Sequence, residues 1–160
     1  MKNFQFEYEG KKYWYSRSVA TTTLVLAHDK NMNKYVLAIK RGSGSPDYVG
    51  YWCLPCGYLD FDETVKQCAA REVMEESGLP LDENELELIE VHSDLSGNQN
   101  VTIRFRCRLL KNIESISLTN EFSEENEIAN VKWIDIKDVD KYNWAFGHLG
   151  LIKYFSVDVL

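Results

Sequence analysis

Ser18 to His28 (SVATTTLVLAH) is an unbroken run of β-branched and apolar residues, the pattern of a strand buried on both faces. Asp29 to Asn33 supplies turn residues, and Lys34 to Lys40 (KYVLAIK) follows as the antiparallel partner. Arg41 to Gly50, rich in Gly and Ser with one Pro, reads as a loop, and Tyr51 to Leu54 as a short strand. The period then changes. Val65, Ala69 and Val73 recur every four residues, an apolar helical stripe suited to packing on a sheet. Asp60 and Glu63 have the spacing of a capping box before that helix, with Asp62 as a rival cap, and Gly78 and Pro80 end it. Leu86 to His92, Val101 to Leu110 and Val131 to Ile136 return to strand patterns. In the second of these, Val101, Ile103, Phe105 and Cys107 alternate with polar neighbours. Asn143 to Val157 reads as a second helix with Trp144, Leu149, Ile152 and Phe155 on its apolar face.

Strands, helix, strands, helix is the order of an α/β (α+β) domain with a sheet covered by helices. The five-residue connection at 29–33 requires a mixed sheet, because parallel neighbours need long crossovers. At 160 residues, without repeats or linker-like tracts, residues 1–160 are expected to form one domain. Charged residues interrupt Met1 to Ala20, and no stretch approaches 18 uncharged residues. No membrane partner is therefore expected, and the cytoplasm is the default location.

The formal net charge is −7, from 18 basic and 25 acidic residues. That argues against a stable nucleic-acid partner, which calls for a basic footprint. A small anionic ligand is still compatible, provided carboxylates first collect divalent cations and so invert the local charge. Cys53 and Cys56 have C-x-x-C spacing, but neither Cys68 nor Cys107 belongs to a second close pair. Packing is the preferred reading of all four over zinc or redox work.

The chemistry concentrates on one stretch. Gly57 is followed by Glu63, and after seven residues by Arg71, Glu72, Val73, Glu75, Glu76, Gly78 and Leu79. On a helix, positions 72, 75 and 76 bring three carboxylates to one face, within roughly 5–6 Å between Cβ atoms. Like charges so placed repel, and a hard divalent cation held by oxygen would offset the repulsion. Arg71 stands four residues before Glu75 and can pair with it. Spacing alone is equally the mark of a solvated acidic helix face, and on spacing alone that reading is favoured.

The residues from Gly57 to Leu79 resemble the Nudix box, G-x5-E-x7-R-E-U-x-E-E-x-G-U with U bulky and apolar, at every specified position. A chance match in a chain of this length is on the order of 10⁻⁷ or less at average residue usage. The entry Trp52-Cys-Leu-Pro-Cys-Gly57 is similar to the usual W-x-L-P-G-G, with Cys56 replacing the first Gly. The resemblance implies a Nudix-like α/β/α sandwich with a mixed sheet between helices. It also implies Mg²⁺ (or Mn²⁺ as a substitute) held by Glu72, Glu75 and Glu76, with Glu63 and Arg71 as supports. The implied reaction is water attack on a diphosphate linkage in a nucleoside diphosphate joined to another group. The general base would be a box glutamate or a later carboxylate; of Glu124, Glu125 and Glu127, the last is the choice, with a solvated loop as the alternative. Arg17, Arg41 and Arg104 are candidate phosphate contacts, and Gly57 a candidate for close backbone approach to substrate.

Substrate markers of subfamilies are absent. No proline follows Pro80, and Asp94 to Gly97 contains no tyrosine, which leaves a nucleoside triphosphate or a nucleotide sugar without a positive marker. A non-catalytic Nudix domain that binds a nucleotide or a protein partner is the alternative, and a homodimer would be in keeping with the family. Tyr13, Trp14 and Tyr15 are read as packing residues ahead of base-stacking or dimer contacts, and His92 and His148 as structural.

Overall fold

The structure, a computed structural model, describes residues 2–93, 95 and 99–157. The segment Asp94 to Gly97, which bore on substrate class, lies outside these except for Leu95. So do the extreme ends of the expected single domain.

The N-terminal residues form a separate hairpin, β1 (Phe4–Tyr8) with β2 (Lys11–Tyr15). Phe4 stacks on Tyr15 and Phe6 on Tyr13, so these aromatics pack within the hairpin itself. Trp14, on the alternate register, is exposed, and Phe4, Phe6 and Tyr15 are exposed as well.

The main sheet is built on β3 (Val19–His28) and β4 (Lys34–Arg41). Asp29 organises the turn between them, accepting the N–H groups of Asn31 and Asn33 at 2.8 Å each. These two strands pair only from Leu26↔Val36 to His28↔Lys34. Beyond that point they part, because each takes a different partner on the shared side. β5 (Trp52–Cys53) pairs with β4 at Ile39 and Lys40, and β6 (Cys56–Tyr58) pairs with β3 at Ala20 to Thr22. Leu54 and Pro55 join the two short strands, and the Thr23 N–H donates to the Pro55 carbonyl at 2.9 Å. The opposite edges of β3 and β4 are taken by β8 (Val101–Asn112), parallel to β3, and β9 (Ile128–Asp135), antiparallel to β4. Strand β7 (Glu87–Ser93) is antiparallel to β8 and closes that end of the sheet. The sheet is mixed, as expected.

Alternation along the strands divides the core between two helices. Helix α1 (Val65–Ser77) sets Val73 against Val25 and Leu37, and Ala69 against Phe105 and Cys107. Helix α2 (His148–Phe155) sets Leu151 and Ile152 against Leu24, Leu26, Val36 and Ala38 on the other face. The result is the expected α/β/α sandwich.

Two helix starts differ from expectation. The N-cap of α1 is Thr64, whose hydroxyl accepts the Gln67 N–H while the Gln67 side chain accepts the Thr64 N–H. Asp60 is not the cap; its own N–H donates to Glu63 Oε1. That contact keeps Glu63 at the mouth of the helix, where Arg71 claims it. The second helix begins at His148 and not at Asn143, because the backbone of 143–145 is drawn alongside β5. Trp52 N–H donates to Asn143 O and Ala145 N–H to Trp52 O, both at 2.8 Å. Gly147, at φ +70°, then turns the chain into α2. At its C-terminus, α1 ends on Gly78 at φ +70°, as the sequence indicates.

Candidate active site

The carboxylates sit where β6 runs into α1. Arg71 is the hub. Its Nε and Nη2 grip the two oxygens of Glu63 at 3.0 and 2.8 Å, a bidentate pair. Nη2 also donates to the Tyr58 carbonyl, while Nη1 reaches Glu72 at 2.8 Å and Glu75 at 3.2 Å. The guanidinium hydrogen bond pulls the Glu63 carboxyl down to about 2, and the same contact raises Arg71. Glu63 is thus a fixed anion that holds the loop to the helix.

Glu72, Glu75 and Glu76 have different environments although they share one helix face. Glu75 is half-exposed. The Glu72 side chain is largely covered, and burial pushes its carboxyl up to about 7 against the pull of Arg71. Glu76 is only 3% exposed, and burial raises it well above the ordinary range, with its closeness to Cys56 and Glu72 adding to the effect. Its Oε2 accepts the Cys56 N–H at 3.0 Å. Cysteine in place of the usual glycine leaves this donor available, since the contact uses main chain. Gly57 has a steric reason to be glycine: a Cβ there would overlap the Glu72 carboxylate. Its bareness serves the carboxylate that approaches it.

Glu127 joins the group from the loop before β9. Burial raises its carboxyl, and its charge acts on both Glu72 and Glu76. The loop is tied to the end of β4. Gly42 N–H and Ser45 Oγ donate to the Glu127 carbonyl at 2.6 and 3.1 Å, and Gly44 N–H donates to Asn126 O at 2.8 Å. Cβ atoms at 42 or 44 would overlap the backbone of 125–127, so the Gly-x-Gly after Arg41 exists to let this loop dock. Glu124 turns the loop by accepting the Glu127 N–H on its carbonyl.

The arginines proposed as phosphate contacts each have partners within the fold. Arg41 is buried, pairs with Asp47 at 2.9 Å and lies 4.9 Å beneath the Phe146 ring. Arg17 staples the start of β3 to Ser93 Oγ and to the carbonyls of Gln99 and Asn100. Arg104 pairs with Glu90 and lines a cavity of about 510 Å³ between β7 and α2, on the face of the sheet opposite α1. That cavity shares no residue with the carboxylate cluster.

Hard oxygen donors in a partly desolvated setting suit a divalent cation such as Mg²⁺. Among the described residues no three His, Cys, Asp or Glu side chains already converge on one point. Arg71 engages Glu72 and Glu75, and the Cys56 N–H engages Glu76. The donor set, carboxyl oxygens whose ionised form burial disfavours until a cation is present, fits a cation bound with water and substrate oxygens completing its shell. No helix among the described residues is long and apolar enough to cross a membrane.

The geometry accords with comparison to known proteins. Residues 17–155 match the NUDIX domain family, and the chain belongs to it. The class this fold and box define is the NUDIX domain. The NUDIX domain of Shewanella oneidensis NrtR, solved with ADP ribose, superposes with a TM-score of 0.69 at 19% identity, covering 87% of this chain and 86% of that one. A MutT/nudix family protein from Enterococcus faecalis gives a TM-score of 0.64 at 21% identity, covering 77% of this chain and 45% of its own. A bifunctional NMN adenylyltransferase/ADP ribose pyrophosphatase from Francisella tularensis, solved with AMP and a Mn ion, gives 0.62 at 21% identity over 88% of this chain and 41% of that one. This chain therefore spans less than half the length of two of these proteins. At such identities the likeness is one of fold.

Proposed function

We propose that this chain hydrolyses a diphosphate linkage in a nucleotide-type substrate, a nucleoside triphosphate or a nucleotide sugar, with Mg²⁺ as its cation and residues 1–160 as one catalytic domain. The observation that carries the proposal is the complete box assembled in space: Glu72 and Glu76 buried beside Gly57, with Glu63 locked by Arg71. A surface helix would have no use for a glycine cut to the shape of one carboxylate.

Glu72, Glu75 and Glu76 would hold the cation, which neutralises phosphate charge and acidifies bound water when present. Arg71 keeps Glu72 and Glu75 in fixed rotamers. Glu63 in turn fixes Arg71, so the donors are positioned before substrate arrives. Glu127, half-buried and raised, takes the proton from the attacking water as its oxygen bonds to phosphorus and the bond from phosphorus to the leaving phosphate oxygen breaks. The proton ends on the Glu127 carboxylate, and the negative charge of the broken bond on the departing phosphate.

The test is a panel of nucleoside triphosphates, nucleotide sugars and dinucleotides with Mg²⁺, scored by release of monophosphate or pyrophosphate. Turnover of at least one member, abolished in Glu76→Gln, supports the reading. A panel with no turnover and tight binding of one member would instead establish a non-catalytic nucleotide sensor.

A further inference from the structure

Seven non-glycine residues among those described have positive φ, and two of them are aromatic: Tyr48 at +51° and Phe146 at +56°. Bulky side chains rarely hold this conformation, and the strain persists only where surrounding structure enforces it. The two rings meet each other, 4.9 Å apart and edge to face, although they come from segments about a hundred residues apart. Tyr51 joins them, its ring 5.6 Å from Tyr48. All three stand in the open, at 47%, 39% and 41% exposure for Tyr48, Phe146 and Tyr51.

The cluster is braced. Tyr51 N–H donates to Tyr48 O at 3.0 Å, closing a turn. Arg41 clamps that turn from both ends, donating its N–H to Tyr51 O and accepting the Gly50 N–H, each at 2.9 Å. Its guanidinium supports the Phe146 ring from below. The next residue, Gly42, binds the Glu127 carbonyl. The aromatic turn and the Glu127 loop are thus anchored on consecutive residues, with Cα atoms about 3.8 Å apart.

We infer that Tyr48, Tyr51 and Phe146 form the platform on which the base of the nucleotide stacks, with its phosphates directed to the carboxylate cluster. Rigid, exposed rings beside a polyanion-handling site suit a flat heterocycle joined to phosphate. Stacking is tolerant of base identity, so the platform selects for a base without choosing strictly among the four. The hydrolase reading supplies only the phosphate end of this inference.

The experiment compares binding of nucleoside monophosphates with ribose 5-phosphate, which lacks a base, in native protein and in Tyr48→Asn, Phe146→Leu and Tyr48→Trp. Asn tolerates the left-handed conformation better than Tyr, so Tyr48→Asn removes the ring without adding backbone strain. Native protein is expected to prefer a monophosphate over ribose 5-phosphate by roughly tenfold or more. Tyr48→Asn and Phe146→Leu should lose most of that preference, and Tyr48→Trp should keep it. Equal affinity for both ligands in native protein, or full preference retained in folded Tyr48→Asn and Phe146→Leu, would overturn the inference. Base preference without turnover of any substrate would uphold it while refuting the hydrolase reading.

Discussion

His148 couples the stability of the fold to pH. It is 3% exposed, and its Nδ1 accepts the Leu54 N–H at 3.0 Å, which requires the ring to be neutral with its proton on Nε2. Burial, with the charges of Arg104 and Arg41, lowers it from 6.5 to about 3. Protonation would set two donors against each other. Above pH 6.5 the residue is neutral in both folded and unfolded chains and adds no pH dependence. Below that, the unfolded chain takes up the proton first, so stability falls with pH until the folded pKa is passed. The loss attributable to this residue is about 2 kcal/mol at pH 5 and approaches roughly 5 kcal/mol below pH 3. The perturbation is His148→Asn, whose side-chain oxygen can accept the Leu54 N–H but has no titration in this range. Urea unfolding of both proteins at pH 7.5 and pH 5.0 gives the assay. Native protein should lose about 2 kcal/mol more than the variant between the two conditions, since the carboxylates titrate in both and cancel. Parallel losses would refute the claim that a buried neutral imidazole pins β5 to α2.

Other substitutions separate the roles within the site. Gly57→Ala should leave the Tm within a few degrees, since the overlapped atoms end a side chain that can swing away, yet lower kcat at least about tenfold by displacing Glu72; unchanged kcat in a steady-state assay would contradict the steric role of Gly57. In Gly42→Ala the overlapped atoms are backbone, so both Tm and kcat should fall, measured by thermal melt and turnover. Arg71→Lys gives up the bidentate grip on Glu63 and should cost about 1.5–3 kcal/mol by urea unfolding near neutral pH. Because Glu63 is depressed to about 2, its share of stability is present above its ordinary pKa of 4.5 and is lost as pH falls towards 2; the native protein should show that extra acid lability, and Arg71→Lys should show less of it.

Much of this protein is local, and what is local is legible in the chain. The stripe Val65, Ala69, Val73 and the glycine at 78 specify α1, because helical period and a left-handed cap depend on near neighbours. The carboxylate spacing depends on the same period, and the box gives it chemical meaning. The strand patterns at β3, β4 and β8 likewise appear as continuous or alternating apolar runs. Tertiary contacts decided the rest. Asn143 to Gly147 has the apolar content of a helix, but the open edge of Trp52 offered it backbone hydrogen bonds, which shortened α2. Asp60 and Thr64 both carry capping side chains; it is the Thr64 hydroxyl that accepts the Gln67 N–H, while Asp60 gives its backbone N–H to Glu63. No local pattern around Arg41 indicated that the fold would place Asp47 and Phe146 against it. Nothing near Tyr48 announces a positive φ or a partner at 146. Pairing across a hundred residues arises from sheet topology, which residue patterns constrain only after the strands have found their neighbours.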